Sequence, residues 1–326
     1  MRSPILVLLV NCLAVPALAA TYGTAQTEFS RNVDKVEQAR LNISSTYGRF
    51  DVLWPFENET ESVETYGLSV DLFKGRSPLA IGGEQTYSAV KPTVTLGKKW
   101  SPRVSASAAL GWLSFENSTT GDKSSTGAGH AKATYMTSET SWLTASLEKS
   151  FLLEEMILAR NVRDPIGVLT VKATSNVQAT ETWKITSVLT SRSIADGNSR
   201  NEVDVAGMYA FSRYPTWFWV GVGLDQVNYS RAAADYYSPE SSFAIGPRID
   251  FAKPIRERLT VKFGGSVNYV KEASRDAATG SYFRAAIEWG SREDDAVEFA
   301  VIDSRSGQTS SSWSSQSVTL GGHWAF

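Results

Sequence analysis

The sequence predicts an all-β transmembrane antiparallel barrel of the outer-membrane type, and three observations support this prediction. Apolar and polar residues alternate at every second position in segments of about 10–14 residues, the length that a tilted spanning strand needs. The connections between these segments alternate between short and long, as short periplasmic turns and long extracellular loops do. The chain ends on a strand with Val318, Leu320, Gly322 and Trp324 on one face and the terminal aromatic Phe326.

The first residues of the chain predict a secretory signal peptide over 1–19. Arg2 supplies a positive charge, Ile5 to Val15 form an apolar run, and Ala17-Leu18-Ala19 is a small-residue cleavage site. We therefore expect residues 20–326 to form a single barrel domain. The only cysteine, Cys12, lies in the signal peptide, so that domain has no thiol for a disulfide or a metal.

The strand pattern is clearest over 241–252, where Phe243 and Ile245 alternate with Arg248 and Asp250. Similar alternation marks 89–96, 218–225, 257–270 and 279–290. A soluble β-sandwich would also alternate, but its polar face would meet bulk water and would carry many charges. Here the polar face is rich in Gly, Ser, Ala and Thr.

Aromatic residues of the apolar face concentrate at strand ends, as in the girdles of a lipid-facing band. We assign Trp112, Phe115, Trp289 and Trp324 to this face. This distribution favours a barrel in a membrane over a packed sandwich core.

The strand count is predicted to be sixteen, with fourteen as the alternative. An even number places both chain ends in the periplasm. Residues 24–32 and 36–54 are compatible with two strands, one long strand, or a plug segment and a strand. Pro92 and Pro247 lack a backbone N–H and are expected near a strand end or a bulge.

If the apolar face meets lipid, the opposite face lines the lumen, and its charges balance. One interpretation is cross-strand pairing that holds the strands in register. The other is a polar conduit whose charges contact a hydrophilic solute, with little preference for ions of one sign. The charged residues assigned to the lumen are Asp71, Lys91, Lys132, Glu148, Lys172, Lys184, Asp204, Asp225, Arg248, Asp250, Lys262, Arg284, Glu288 and Glu298.

No catalytic, cofactor-binding or metal-binding residues are predicted, and we expect a protein that is not an enzyme. The two histidines, His130 and His323, are too few and too far apart for a metal site. His130 is placed at the start of a strand on the external rim, near Ser124 and Thr126. A hydrolase or acyltransferase would need a base positioned about 3 Å from its nucleophile, so His130 gives only a weak alternative. The net charge of −2 gives no reason to expect a nucleic-acid partner.

Two motifs resemble bacterial exopolysaccharide-export barrels. Asp235-Tyr236-Tyr237-Ser238-Pro239, which leads into the strand at 241–252, looks like the "YYSP" element of that group, and Asp196-Gly197-Asn198 is also similar to it. The group includes the C-terminal barrels of the cellulose and poly-N-acetylglucosamine exporters and small stand-alone relatives of the YaiO type. The resemblance covers about 140–326.

This resemblance implies a sixteen-stranded barrel through which a hydrated glycan passes. Its dedicated exporters carry an N-terminal array of tetratricopeptide helices, whereas here the strand pattern begins soon after the signal peptide. We therefore expect a stand-alone pore or an auxiliary barrel. The candidate solute contacts are Trp219, Asp225, Tyr236, Tyr237, Arg248, Asp250, Lys262, Tyr282, Arg284 and Glu288; Tyr236 and Tyr237 are equally compatible with anchoring at the membrane interface.

The leading hypothesis is a monomeric outer-membrane barrel that acts as a passive pore or secretion conduit for a hydrophilic solute, with an exopolysaccharide as one candidate. The alternative is a structural or adhesive surface barrel whose lumen is plugged. Expected partners are outer-membrane lipid, lipopolysaccharide, a saccharide solute, and the barrel-assembly machinery through Phe326.

Overall fold

The computed structural model describes residues 22–32, 37–47, 63–78, 83–152, 165–233, 236, 238–273, 275–290, 295–305 and 314–325. It contains sixteen β-strands that close into one antiparallel barrel, which confirms the predicted fold class and strand number. The predicted signal peptide and Phe326 lie outside the described residues. The strands are β1 (Tyr22–Asn32), β2 (Glu37–Tyr47), β3 (Val63–Pro78), β4 (Glu84–Ser101), β5 (Val104–Asn117), β6 (Lys123–Met136), β7 (Trp142–Phe151), β8 (Gly167–Gln178), β9 (Trp183–Ile194), β10 (Ser199–Ser212), β11 (Trp217–Tyr229), β12 (Ser241–Arg256), β13 (Leu259–Glu272), β14 (Ala278–Gly290), β15 (Ala296–Arg305) and β16 (Ser314–Ala325).

The first and last strands close the sheet by pairing with each other along their whole lengths. The pairing runs from Tyr22 opposite Ala325 to Asn32 opposite Ser315. Because every strand then has two neighbours, no strand edge is left unpaired in the bilayer, where an unpaired backbone group is costly. Both ends of the described chain lie at one rim, which we call the periplasmic end.

The two faces of the sheet differ as the alternation predicts. Large apolar side chains project from the outer face, and Leu110, Phe211 and Phe29 are 79%, 67% and 61% exposed. The inner face is identified by contacts between strands that are not neighbours, such as Lys184 of β9 and Asp250 of β12 at 3.9 Å. Such contacts can form only on the concave side of a closed sheet. In the described residues, no helix is long and apolar enough to cross a bilayer.

The connections follow the predicted alternation over most of the barrel. Tight turns such as 102–103 and 257–258 lie at the periplasmic end, and longer connections such as 230–240 lie at the external end. Three connections depart from it: 48–62 is a long connection at the periplasmic end, and 33–36 and 195–198 are short connections at the external end. The predicted segment 36–54 runs past Tyr47, the end of β2, so the sequence pattern did not show the long connection between β2 and β3.

The expectation that Pro92 and Pro247 lie near strand ends or bulges is wrong. Both lie in the middle of long strands, and the register does not shift there. Instead, the run of register pairs is interrupted on one side of each strand, between the pairs of Val90 and Thr93 in β4 and between the pairs of Ile245 and Arg248 in β12. Each interruption contains a proline, which has no N–H to donate. Pairing on the other side of each proline continues unbroken.

Candidate functional site: the barrel lumen

The inner face of β2–β4 carries a buried ion cluster around Asp71. Asp71 is 4% exposed and accepts hydrogen bonds from Arg40 Nη2 at 2.8 Å and Asn42 Nδ2 at 2.9 Å. Lys91 Nζ lies 3.6 Å from its other carboxylate oxygen. One carboxylate therefore joins three strands. This arrangement fits the structural interpretation of the predicted lumen charges.

A second cluster joins the inner faces of β13–β15 near the periplasmic end. Lys262 Nζ lies 2.6 Å from Glu288 Oε2 and 2.8 Å from Glu298 Oε2, and Arg284 donates to the other oxygen of Glu298. Lys262, Arg284 and Glu288 were predicted as solute contacts. Each is engaged with a neighbour of opposite charge, so the cluster fixes the register of three strands.

Five more of the predicted charges border a cavity in the lumen: Lys184, Asp204, Asp225, Arg248 and Asp250. Arg248 of β12 reaches across β11 to Asp204, with Nη1–Oδ1 at 2.9 Å and Nη2–Oδ2 at 3.0 Å. Asp225 lies opposite Asp204 in the register of β10 and β11, so a second carboxylate lies close to the ion pair of Arg248 and Asp204. The ammonium group of Lys184 has two neighbours: it lies 3.9 Å from Asp250 and 4.3 Å from the centre of the Trp219 ring.

The cavity has a volume of about 560 Å³ and an amphipathic lining. Tyr282 borders it from β14 and is 39% exposed, so its ring is open to a solute. Trp219 is only 7% exposed and packs on Ala206, Met208 and Ala210. Because Lys184 lies over its ring, Trp219 departs from the predicted role of a stacking surface for a sugar.

Gly223 makes room for the guanidinium of Arg248. A Cβ atom at this position would lie 1.9 Å from Arg248 Nε and 2.4 Å from Cζ. We expect Gly223→Ala to displace Arg248 from Asp204 and to lower the free energy of unfolding by about 1.5–3 kcal/mol, the range for hydrogen bonds to charged groups. Urea unfolding of the folded barrel in detergent measures this. Gly207→Ala is the matched control, because a Cβ there meets nothing within 4 Å; equal stability losses in the two variants would contradict the assignment.

The external half of the lumen contains a buried apolar layer, which corrects the predicted lipid-facing position of Phe115. Phe115 has the opposite parity to Trp112 and points inward, where it is 3% exposed and stacks on Tyr87 with ring centres 5.9 Å apart. The layer consists of two apolar clusters, and Ile166, the residue just before β8, packs against both of them. The layer comprises Phe73, Tyr87, Ala89, Leu113, Phe115 and Phe151, and a second cluster of Leu152, Val168, Ile194, Tyr229 and Tyr236.

Tyr236 is a buried support of the external loop, unlike either predicted role. It is 6% exposed, and its hydroxyl lies 2.9 Å from Asp196 Oδ2 and 3.0 Å from Asn198 Nδ2. Its ring packs near Tyr229, with centres 6.5 Å apart. The two motifs that carried the family resemblance therefore contact each other directly. Tyr237 lies outside the described residues.

The pKa of Tyr236 gives a prediction at alkaline pH. Burial raises this pKa from 10.0 to about 12. Because the folded state holds the phenol neutral, its contribution to stability is complete below pH 10 and is lost as the pH rises towards 12. We expect the tyrosinate absorbance difference between the wild type and Tyr236→Phe to have its midpoint near pH 12. A midpoint near pH 10 would show that the hydroxyl is not buried.

His130 does not lie at the external rim, which corrects its predicted position. It lies within β6 on the inner face, opposite Ala109 and Glu148 in the register. Ser124 and Thr126 share this face but lie earlier in the strand, nearer its external end. Within the described part of the chain, no hydrogen bond joins His130 to a serine or threonine, and no cluster of His, Cys, Asp and Glu could hold a metal ion.

The structure adds lumen charges that the sequence pattern missed and shows that the charges are segregated. Lys91, Lys99, Lys132, Lys172, Lys184 and Arg192 point inward from β4–β9, where Glu148 is the one inward carboxylate among the described strand residues. We call this surface the basic wall. The inner face of β10–β15 is richer in acid, with Glu202, Asp204, Asp225, Asp250, Glu272, Glu288 and Glu298 against Arg200, Arg248, Lys262 and Arg284. The inward charges that the sequence pattern missed could have been found by extending the strand register through each β-hairpin.

Comparisons with known proteins agree on the fold. No family model matches the sequence, and no curated protein matches it significantly. A solved "bacterial polysaccharide outer membrane secretin" is similar, with 12% identity and a TM-score of 0.66 over 94% of this chain and 99% of that one. The CymD monoaromatic hydrocarbon channel has 11% identity and a TM-score of 0.50 over 98% of this chain and 92% of that one.

At these identities the similarity shows a shared fold. Together with the apolar outer belt, this fold places the protein in the bacterial outer membrane.

Proposed function

We propose that the protein is a passive channel for a hydrophilic solute. The observation that carries this proposal is the cavity of about 560 Å³ inside the barrel, whose lining includes charged and hydroxyl side chains from β9–β15. A lumen that served only stability could be filled by side chains, as in small barrels. The similar solved structures support a channel, and the one named for polysaccharide supports a saccharide as the solute class.

The solute class agrees with the chemistry of the cavity. Tyr282 offers an exposed ring face, on which a sugar ring can stack. Asp225, Asp250 and Ser266 border the same cavity and can bond hydroxyl groups. We propose a saccharide, up to the length of a polymer, as the cargo.

Planar-bilayer recording of the purified, folded barrel tests the channel. We expect stepwise conductance that falls in Ala244→Trp, because Ala244 faces the cavity. Ile245→Trp is the matched control: the next residue points to the opposite face and is 38% exposed there. No conductance in the wild type, or equal conductance in both variants, would overturn the proposal. Liposome swelling with neutral oligosaccharides of increasing length then tests the saccharide.

A plugged surface barrel is the second candidate, and the apolar layer in the external half of the lumen favours it. Its members are nearly fully buried inside the barrel, so little open space remains beside them. A plugged barrel conducts no ions in the wild type but conducts once the layer is reduced. The Phe115 variant described in the Discussion separates the two candidates.

A further inference from the structure

Two lysines of the basic wall differ from the other predicted lumen cations. Lys91 lies 3.6 Å from Asp71, Lys184 lies 3.9 Å from Asp250, and Arg248, Lys262 and Arg284 each contact a carboxylate. Neither Lys132 nor Lys172 has an ion pair with any residue that the structure describes, and both are exposed to the lumen. Their charges are therefore not used for pairing the strands.

The register brings these two lysines to one level of the wall. Lys132 lies opposite Ser146, and Ser146 lies opposite Lys172, so the lysines flank one serine on β6, β7 and β8. Two strand spacings separate their Cα atoms by about 10 Å. Both side chains rise from a concave surface on flexible four-carbon stems, so their ammonium groups can approach one anion above Ser146.

Hydroxyl groups surround this pair. Ser107 and Thr190 extend the same row on either side, and Thr134 and Thr144 share a hydrogen bond of 3.0 Å in the next row. A carboxylate on a sugar would meet ammonium donors at its charge and hydroxyls at its ring. Neutral sugars would meet only the hydroxyls.

Glu148 is the group that opposes this site. It follows Ser146 by one inward position on β7 and lies opposite His130 and Thr170. Within the described residues it forms no ion pair with either lysine. Its negative charge weakens the attraction of Lys132 and Lys172 for an anionic solute. Removal of Glu148 should therefore strengthen the site.

We propose that Lys132 and Lys172 form an anion-binding site in the lumen wall that selects solutes carrying carboxylates, with acidic saccharides as the ligand class. The inference rests on the proposed channel function. An unpaired cation in a lumen with low-dielectric walls raises the local concentration of anions, and rings of lysine are one way in which pores select anions.

The first test is the reversal potential under a potassium chloride gradient. The wild type should prefer chloride, and Lys132→Gln with Lys172→Gln should lower the anion-to-cation permeability ratio by at least about threefold. Lys132→Glu with Lys172→Glu should make the channel prefer cations, and Glu148→Gln should increase the chloride preference. Lys123→Gln with Lys253→Gln is the control, because it removes the same charge from outside the lumen and should leave the ratio unchanged.

The second test is binding of trigalacturonate to the folded barrel in detergent, measured by calorimetry, with maltotriose as the neutral probe. We expect the wild type to bind trigalacturonate at least about tenfold more tightly than the double glutamine variant, and maltotriose to bind both equally. Heat-modifiability on a gel confirms that the variants are folded.

The outcomes separate the two proposals. A conducting wild type whose ion preference and trigalacturonate affinity do not change in the double variant would overturn the site while the channel stands. Lysine-dependent binding by a barrel that carries no current would overturn the channel and keep the anion site.

Discussion

Asp71→Ala is expected to lower the free energy of unfolding by about 3 kcal/mol, the lower end of the range for breaking a buried ion pair. Asp71 is 4% exposed and is the shared counter-ion of Arg40 and Lys91. Its removal takes away the carboxylate that the two cations share, and it takes away the oxygen that accepts from the amide of Asn42. The lumen can partly hydrate these groups, which keeps the loss at the lower end of the range. Urea titration of the folded barrel measures it.

The control for this prediction is Asp303→Ala. Asp303 also accepts hydrogen bonds, from Arg305 Nε at 2.8 Å and Gln316 Nε2 at 3.0 Å, but this group lies exposed at the external rim. We expect that variant to lose less than about 1 kcal/mol. If Asp71 acts through Lys91, then Lys91→Met added to Asp71→Ala should cost less than the sum of the single losses. Additive losses would contradict the shared-charge account.

Phe115→Ala is expected to destabilise the barrel by about 3–5 kcal/mol, the range for deleting a buried aromatic ring. Phe115 is 3% exposed and stacks on Tyr87 inside the barrel, so its removal opens a cavity in the apolar layer. The same change should raise the single-channel conductance, because the layer narrows the external half of the lumen. Unfolding and bilayer recording on one preparation measure both effects.

Leu110→Ala is the matched control on the same strand. Leu110 points to lipid and is 79% exposed, so truncation should cost about 1 kcal/mol or less and should leave the conductance unchanged. A silent wild type that conducts after Phe115→Ala would favour the plugged barrel. A Phe115→Ala barrel with an unaltered current would show that the apolar layer does not limit the passage of ions.

The sequence pattern determined the architecture because side chains in a strand alternate between faces with a period of two. In a membrane barrel, one of those faces must be apolar along every strand. Residues such as Phe243 and Arg248 were therefore assigned to the correct faces without coordinates. The pattern was weakest at β1 and β2, where Arg40 and Asn42 were not recognised as lumen residues.

Interior contacts between distant strands could not be predicted, because local periodicity contains no information on which inward side chains meet. The paired state of Lys184 and the unpaired state of Lys132 depend on side chains from other strands, although the two lysines look alike in the sequence. Tyr236 was assigned to the rim from its motif, but only the fold brings Asp196 and Asn198 to its hydroxyl.

The sequence by itself determined that this chain forms a barrel with an apolar exterior and a polar interior, since this follows from the two-residue alternation of side chains in each strand. The tertiary structure decided which part of the interior is apolar, which charges are neutralised and which face the solute path. The physical reason is closure: curving the sheet into a cylinder brings inward side chains of non-adjacent strands within reach of one another, while those on the outer face diverge into lipid.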